Sequence, residues 1–133
     1  MEENKKTIDV TALGELLVDF TMNGQSEQGN PLFEACPGGA PCNVLAFLQK
    51  MEKKTAFIGK VGKDGFGDFL RQTLVESSID VSGLVIDEKI PTTLAFVQLD
   101  SKGDRSFTFY RNPGADVMLT SAEVNRNLID DAA

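Results

Sequence analysis

The sequence contains no histidine and only two cysteines, Cys36 and Cys42. Without histidine, Cys-His zinc sites and Ser-His-Asp triads are excluded, and two thiolates alone make a poor metal site. A disulfide between Cys36 and Cys42 is conceivable, but a reducing compartment disfavours it. The plainer reading is two small apolar residues beside a buried loop. Positive charge is also scarce, with 13 Lys and Arg against 20 Asp and Glu and a net charge of −7. That balance argues against non-specific binding to nucleic acid or anionic membranes, which needs clustered basic residues. A local phosphate site built from backbone amides stays open. No apolar run approaches the ~20 residues of a membrane span. The opening MEENKKTIDV lacks the apolar core of a signal peptide, so a cytosolic setting is expected. Neither an internal repeat nor a low-complexity linker is present.

What is there suits one soluble domain with one core: 133 residues, 41% hydrophobic and 25% charged. The chain is organised around 37–67, PGGAPCNVLAFLQKMEKKTAFIGKVGKDGFG. Gly38 and Gly39 permit backbone angles and close approaches closed to other residues. Pro41 suits a first helical turn. Asn43 then falls where free amides and the positive end of the helix dipole meet, a place to hold a hydroxylated or anionic small molecule.

Taken in order, residues 7–13 read as a core strand and 16–22 as a second extended run. Asp19 lies inside that run among Leu17, Val18 and Phe20. It is either an outward-facing strand residue or a hydroxyl acceptor at a wet cleft, since a buried unpaired carboxylate is costly. A short strand is expected at 32–36. A helix from Cys42 should bury Val44, Phe47, Leu48 and Met51 on one face. A near-continuous apolar strand at 55–61 follows, then a helix with Phe66, Phe69, Leu70 and Leu74 inward, then a strand at 80–87. This is the alternation of an α/β domain with a parallel sheet. Next come strands at 92–99 and 105–110, joined by the turn Asp100-Ser101-Lys102-Gly103-Asp104. With 16–22 and 32–36 they can form a small separate sheet with one apolar face. Thr120 and Glu123 predict a capping box opening a last helix over 121–130.

Five segments occur in the order seen in ribokinase-like sugar kinases of the PfkB family: GELLVDF (14–20), PGGAPCN (37–43), FIGKVGKDGFG (57–67), TTLAFV (92–97) and FYRNPGAD (109–116). The chain most resembles the bacterial fructokinase branch. The resemblance implies a parallel sheet flanked by helices, here incomplete, with a small β-sheet lid drawn from 16–36 and 92–111. It implies a sugar site in which Asp19 accepts hydrogen bonds from hydroxyls, Gly38 and Gly39 contact the sugar through the main chain, and Asn43 binds another hydroxyl. Phe96 and Phe107 would supply apolar cover. Arg111 either reaches the cleft or pairs with a surface acid.

The parent activity would be phosphoryl transfer from ATP, with Mg²⁺, to a sugar hydroxyl. Fructose leads as acceptor, with ribose, 2-keto-3-deoxygluconate and nucleosides behind it. Leu45 departs from the pattern where a small residue is usual, and Glu52 where glycine commonly ends the helix. The family's GAGD-type segment, which carries the catalytic base, does not occur, nor do the ATP-binding segments. The expectation is therefore the N-terminal part of a longer kinase, inactive alone and needing no cofactor alone. Two alternatives are a stand-alone sugar-binding module and a homodimerisation module pairing through the lid sheet. A GxGxxG nucleotide-binding reading is weaker, because the glycines do not follow the first strand in that pattern.

Overall fold

The computed structural model describes residues 5–133. Two sheets carry the chain. A parallel sheet of order β1-β4-β5 is built from β1 (Val10–Leu13), β4 (Thr55–Gly62) and β5 (Asp80–Asp87). A four-stranded sheet of order β3-β2-β6-β7 is built from β2 (Leu17–Gln25), β3 (Pro31–Gly38), β6 (Leu94–Leu99) and β7 (Arg105–Tyr110). In it β2 runs antiparallel to β3 and parallel to β6. The two kinds of strand pattern in the sequence thus sort into two sheets.

Helices α1 (Ala40–Lys50) and α2 (Gly65–Glu76) follow β3 and β4, and a short α3 (Arg126–Asp130) lies near the C-terminus. Every residue of β4 is buried. Its period-2 alternation sends Phe57 and Val61 towards Leu45, Leu70 and Leu74 of the two long helices. Ala56 and Ile58 pack on the other side against Leu128 of α3. The sheet is therefore covered on both faces, as its continuous apolar run requires. Lys60, also in β4, is buried but paired, with Nζ 2.9 Å from Glu123 and 3.4 Å from Asp87. Its hydrogen bond to Glu123, opposed by burial, holds its pKa above the ordinary lysine value. No helix among the described residues is long and apolar enough to cross a membrane.

Three expectations need correction. First, α1 begins at Ala40 and does not bury the expected face: Val44, Phe47 and Met51 are exposed, Phe47 by 64%. Cys42 and Leu45 point inward instead. Pro41 starts the helix earlier, at its first turn, and Leu45, the departure from the family pattern, fills the core. Second, Phe66 and Phe69 of α2 are partly exposed, and only Leu70 and Leu74 of the expected face are buried. Phe66 instead meets Phe20 of the other sheet edge-on at 5.5 Å. Third, the predicted helix over 121–130 is broken into a 3-10 turn, Ser121–Glu123, and α3, with Val124 and Asn125 extended between them. The Thr120–Glu123 capping box does form, but it closes only that turn.

Glu52, just past α1, adopts φ 62°, the left-handed region where a side chain costs about 1–2 kcal/mol. That accounts for the usual glycine there. Glu52→Gly is expected to raise unfolding free energy by roughly 0.5–1 kcal/mol, after subtracting glycine's greater freedom in the unfolded chain. In the same urea titrations Leu45→Ala should lose about 2–5 kcal/mol and Phe47→Ala under about 0.5. Equal losses at 45 and 47 would contradict the orientation of α1.

Candidate functional site

Register decides which side chains share a face of the four-stranded sheet. Asp19 pairs with Cys36 on β3 and Ala95 on β6, while Val97 pairs with Phe107 on β7. All lie on one face, because side chains alternate along each strand. A cavity of about 330 Å³ opens there, lined by Asp19, Thr21, Cys36, Val97, Phe107 and Arg105 among others. That volume is near the lower end of small-molecule sites, roughly 300–1,000 Å³. A carboxylate set among aliphatic and aromatic walls suits a ligand with hydroxyls on one edge and C–H groups on a face.

The glycine loop closes against this face. A Cβ on Gly38 would overlap the Asp19 carboxylate, and one on Gly39 would overlap the carbonyl of Glu15. Gly39 also sits at φ 111° as it enters α1. Both positions therefore require glycine, for contact at the first and for contact and backbone angle at the second. Burial, and secondarily the negative charge of Glu15, pushes the Asp19 pKa up. This carboxylate is held at a cost, as expected of a group placed to meet a ligand.

The structure sets Phe107 with Asp19 around one cavity and Gly38 against the Asp19 carboxylate, while Gly39, next along, packs on the Glu15 carbonyl; it places the other three predicted residues elsewhere. Phe96 projects from the opposite face, in an aromatic cluster with Phe20 (stacked, 4.8 Å), Phe33 and Tyr110 (both edge-on, 5.5 Å). Its neighbours Ala95 and Val97 are the ones in register with Asp19 and Phe107. Asn43 is exposed in the first turn of α1 and lines a smaller cavity, about 120 Å³, between α1 and α2. Arg111 pairs with Glu15 and Asp116, each at 2.9 Å through the same nitrogen, Nη2. Sequence reasoning missed Thr21, Cys36, Val97 and Arg105. Period-2 counting outward from Asp19 across the strand pairs would have found Cys36 and Val97.

Both cysteines are free thiols. Burial raises the Cys42 pKa to about 12, so this thiol stays protonated and inert. Asp64, which the sequence reading confined to a turn, caps α2. Its Oδ1 accepts from Gly67 N (2.8 Å) and Thr92 Oγ1 (2.8 Å), and its Oδ2 from Thr92 N (2.9 Å). Burial pushes its pKa up, but these hydrogen bonds prevail and hold it below the usual carboxylate value. Asp64 thus fixes the start of β6 to the start of α2, with its acceptor capacity already engaged. Among the described residues no three His, Cys, Asp or Glu side chains cluster to hold a metal.

Asp19 generates a pH test. An aspartate whose folded pKa is raised ionises first in the unfolded chain. Its ionisation therefore costs stability as pH rises from the ordinary value near 3.9 through the folded value. Asp19→Asn removes that cost, so the melting temperature at pH 7 should hold or rise. A drop of several degrees would instead make Asp19 a structural residue.

Known proteins share this architecture. Fructokinase-1 of Oryza sativa subsp. japonica is 45% identical over 126 residues, covering 93% of this chain and 39% of that protein. Fructokinase-1 of Zea mays is 44% identical over the same length and the same shares. Among solved structures, fructokinase from Xylella fastidiosa superposes with a TM-score of 0.88 at 37% identity, covering 96% of this chain and 39% of that one. The chain spans about two-fifths of the length of the curated relatives it matches. The pfkB family carbohydrate kinase description matches residues 7–133, nearly the whole sequence, and the chain belongs to that family.

Proposed function

We propose that the chain is the acceptor-binding portion of an ATP-dependent carbohydrate kinase, with fructose as the sugar. One observation carries the reading: the Asp19 carboxylate, backed by Gly38, faces a cavity walled by Val97 and Phe107. Identity to fructokinases at this length supports the acceptor assignment. The Xylella fastidiosa fructokinase has been solved with bound ATP, and a putative Ribokinase II from E. coli with ATP and Mg²⁺, which supports ATP as donor.

In this reading Asp19 accepts hydrogen bonds from sugar hydroxyls, while the main chain of Gly38 and Gly39, drawn in against Asp19 and Glu15, is offered to the sugar. The four-stranded sheet acts as a lid, with Val97 and Phe107 against the C–H face. Excluding water there strengthens the hydrogen bonds to Asp19. Phosphoryl transfer depends on aligning acceptor and donor and on stabilising charge, and this chain contributes the alignment of the acceptor. In this division of labour Mg²⁺ binding and proton removal fall outside the roles given to this chain.

Calorimetry of the purified chain tests the reading. D-Fructose is expected to give a binding isotherm that Asp19→Asn abolishes, and Mg-ATP none. Fructose-dependent ADP formation is expected to be undetectable. Absence of heat with fructose and with a panel of other sugars would defeat the acceptor assignment. Sugar-dependent ADP formation would defeat the division of labour.

A second reading, pairing of two copies through the four-stranded sheet, is favoured by its exposed apolar edge. Phe107 and Phe109 stack on each other at 6.2 Å and stand more than half exposed beside Leu99 and Tyr110. In that case sedimentation should show a mass that rises with concentration and falls on Phe109→Ser.

A further inference from the structure

The hairpin of β6 and β7 leaves the body at Thr93 and returns at Arg111, the first pair beyond it being Leu94 with Tyr110. One buried carboxylate holds both roots. Asp116, its side chain 1% exposed, accepts from Thr93 Oγ1 through Oδ1 and from Arg111 Nη2 (2.9 Å) through Oδ2. Gly114 lets the segment after β7 come this close, since a Cβ there would overlap the Thr93 hydroxyl. Backbone bonds reinforce the anchor: Ala115 N donates to Pro91 O at 2.8 Å and Val18 N to Thr93 O at 3.2 Å.

The same Arg111 nitrogen that reaches Asp116 also donates to Glu15 Oε2 at 2.9 Å. Glu15 lies on the turn between β1 and β2, and its carbonyl is the group against which Gly39 packs. The guanidinium also lies over the ring of Phe109, 5.4 Å from its centroid. One cation thus ties three elements: the return root of the hairpin, the segment after it, and the turn behind the glycine loop.

We propose that Arg111, with Asp116, is a positioning residue that fixes the β6–β7 hairpin relative to Asp19 and the glycine loop. Its Nη2 is shared between Glu15 and Asp116, while its buried Nε has no partner among the described residues. Through the Nη2 contacts Arg111 sets where Val97 and Phe107 stand. Loss of the cation leaves Asp116 buried beside Glu15 with only Thr93 to satisfy it, an unfavourable arrangement that hinging of the hairpin relieves. Both contacts come from one nitrogen, so a lysine ammonium can reproduce them, whereas neutral glutamine cannot. The consequence for sugar binding rests on the function proposed above. The contacts do not, and the test uses no sugar.

Amide hydrogen exchange of the free chain reads the hinge strand by strand. In Arg111→Gln, amides of β6 and β7 are expected to exchange at least about tenfold faster, with β4 and β5 within about twofold of the parent. Arg111→Lys is expected to restore β6 and β7 to within about threefold. Glu15→Gln, a change at a half-exposed site that leaves the Asp116 pair in place, should give an intermediate acceleration confined to the same strands. The proposal is overturned by unchanged β6 and β7 exchange in Arg111→Gln. It is equally overturned by acceleration shared with β4 and β5, by a lysine variant as fast as glutamine, or by no effect of Glu15→Gln. Because fructose is absent, a negative calorimetric result and a negative exchange result are separate findings.

Discussion

The arrangement depends on a close approach that only glycine permits. At Gly38 the backbone of β3 lies against the carboxylate of Asp19, and at Gly39 it lies against the carbonyl of Glu15 before turning at positive φ into α1. The first contact belongs to the four-stranded sheet and the second ties that sheet to the turn leaving β1. Asp64 supplies a second tie, joining the start of α2 to Thr92 just ahead of β6. The two sheets are thus held at defined points, and the cavity beside Asp19 lies between the strands these points anchor.

Much of this was readable from residue order. The continuous apolar stretch at 55–61 predicts a strand buried on both faces, and β4 is buried at every residue. The change from strand-helix alternation to two strands around Asp100–Asp104 marks the second sheet, and the motifs mark the family. What the sequence did not reveal has physical causes. Helical periodicity says that Val44, Phe47 and Met51 share a face but not whether that face is covered. On α1 the inward direction is set by Cys42 and Leu45 instead. The capping box at Thr120 satisfies the amides of a turn without obliging a helix to continue, and the extended Val124 and Asn125 end it.

The site shows the same division. Asp19 and the paired glycines carry their chemistry in their identity: a carboxylate in an apolar run, and residues without Cβ at a tight approach. Phe96 and Phe107 differ only in which way a strand presents them. That depends on register, which a single sequence specifies poorly. Phe96 faces Phe20 and Tyr110 because β2 and β6 pair Phe20 with Phe96. Arg111 is held partly by a local acid, Asp116, five positions on, and partly by Glu15, 96 positions away, which no local pattern marks.

The central claim is that one face of the four-stranded sheet, with the glycine loop, receives the sugar. Chemical-shift mapping of the isotopically labelled chain during a D-fructose titration tests it most directly. The account predicts perturbations concentrated at Asp19, Gly38, Gly39, Val97 and Phe107, with Phe33 and Phe96 on the opposite face left in place. Shifts centred on the Phe20, Phe33 and Phe96 cluster, or on the cavity between α1 and α2, would contradict it.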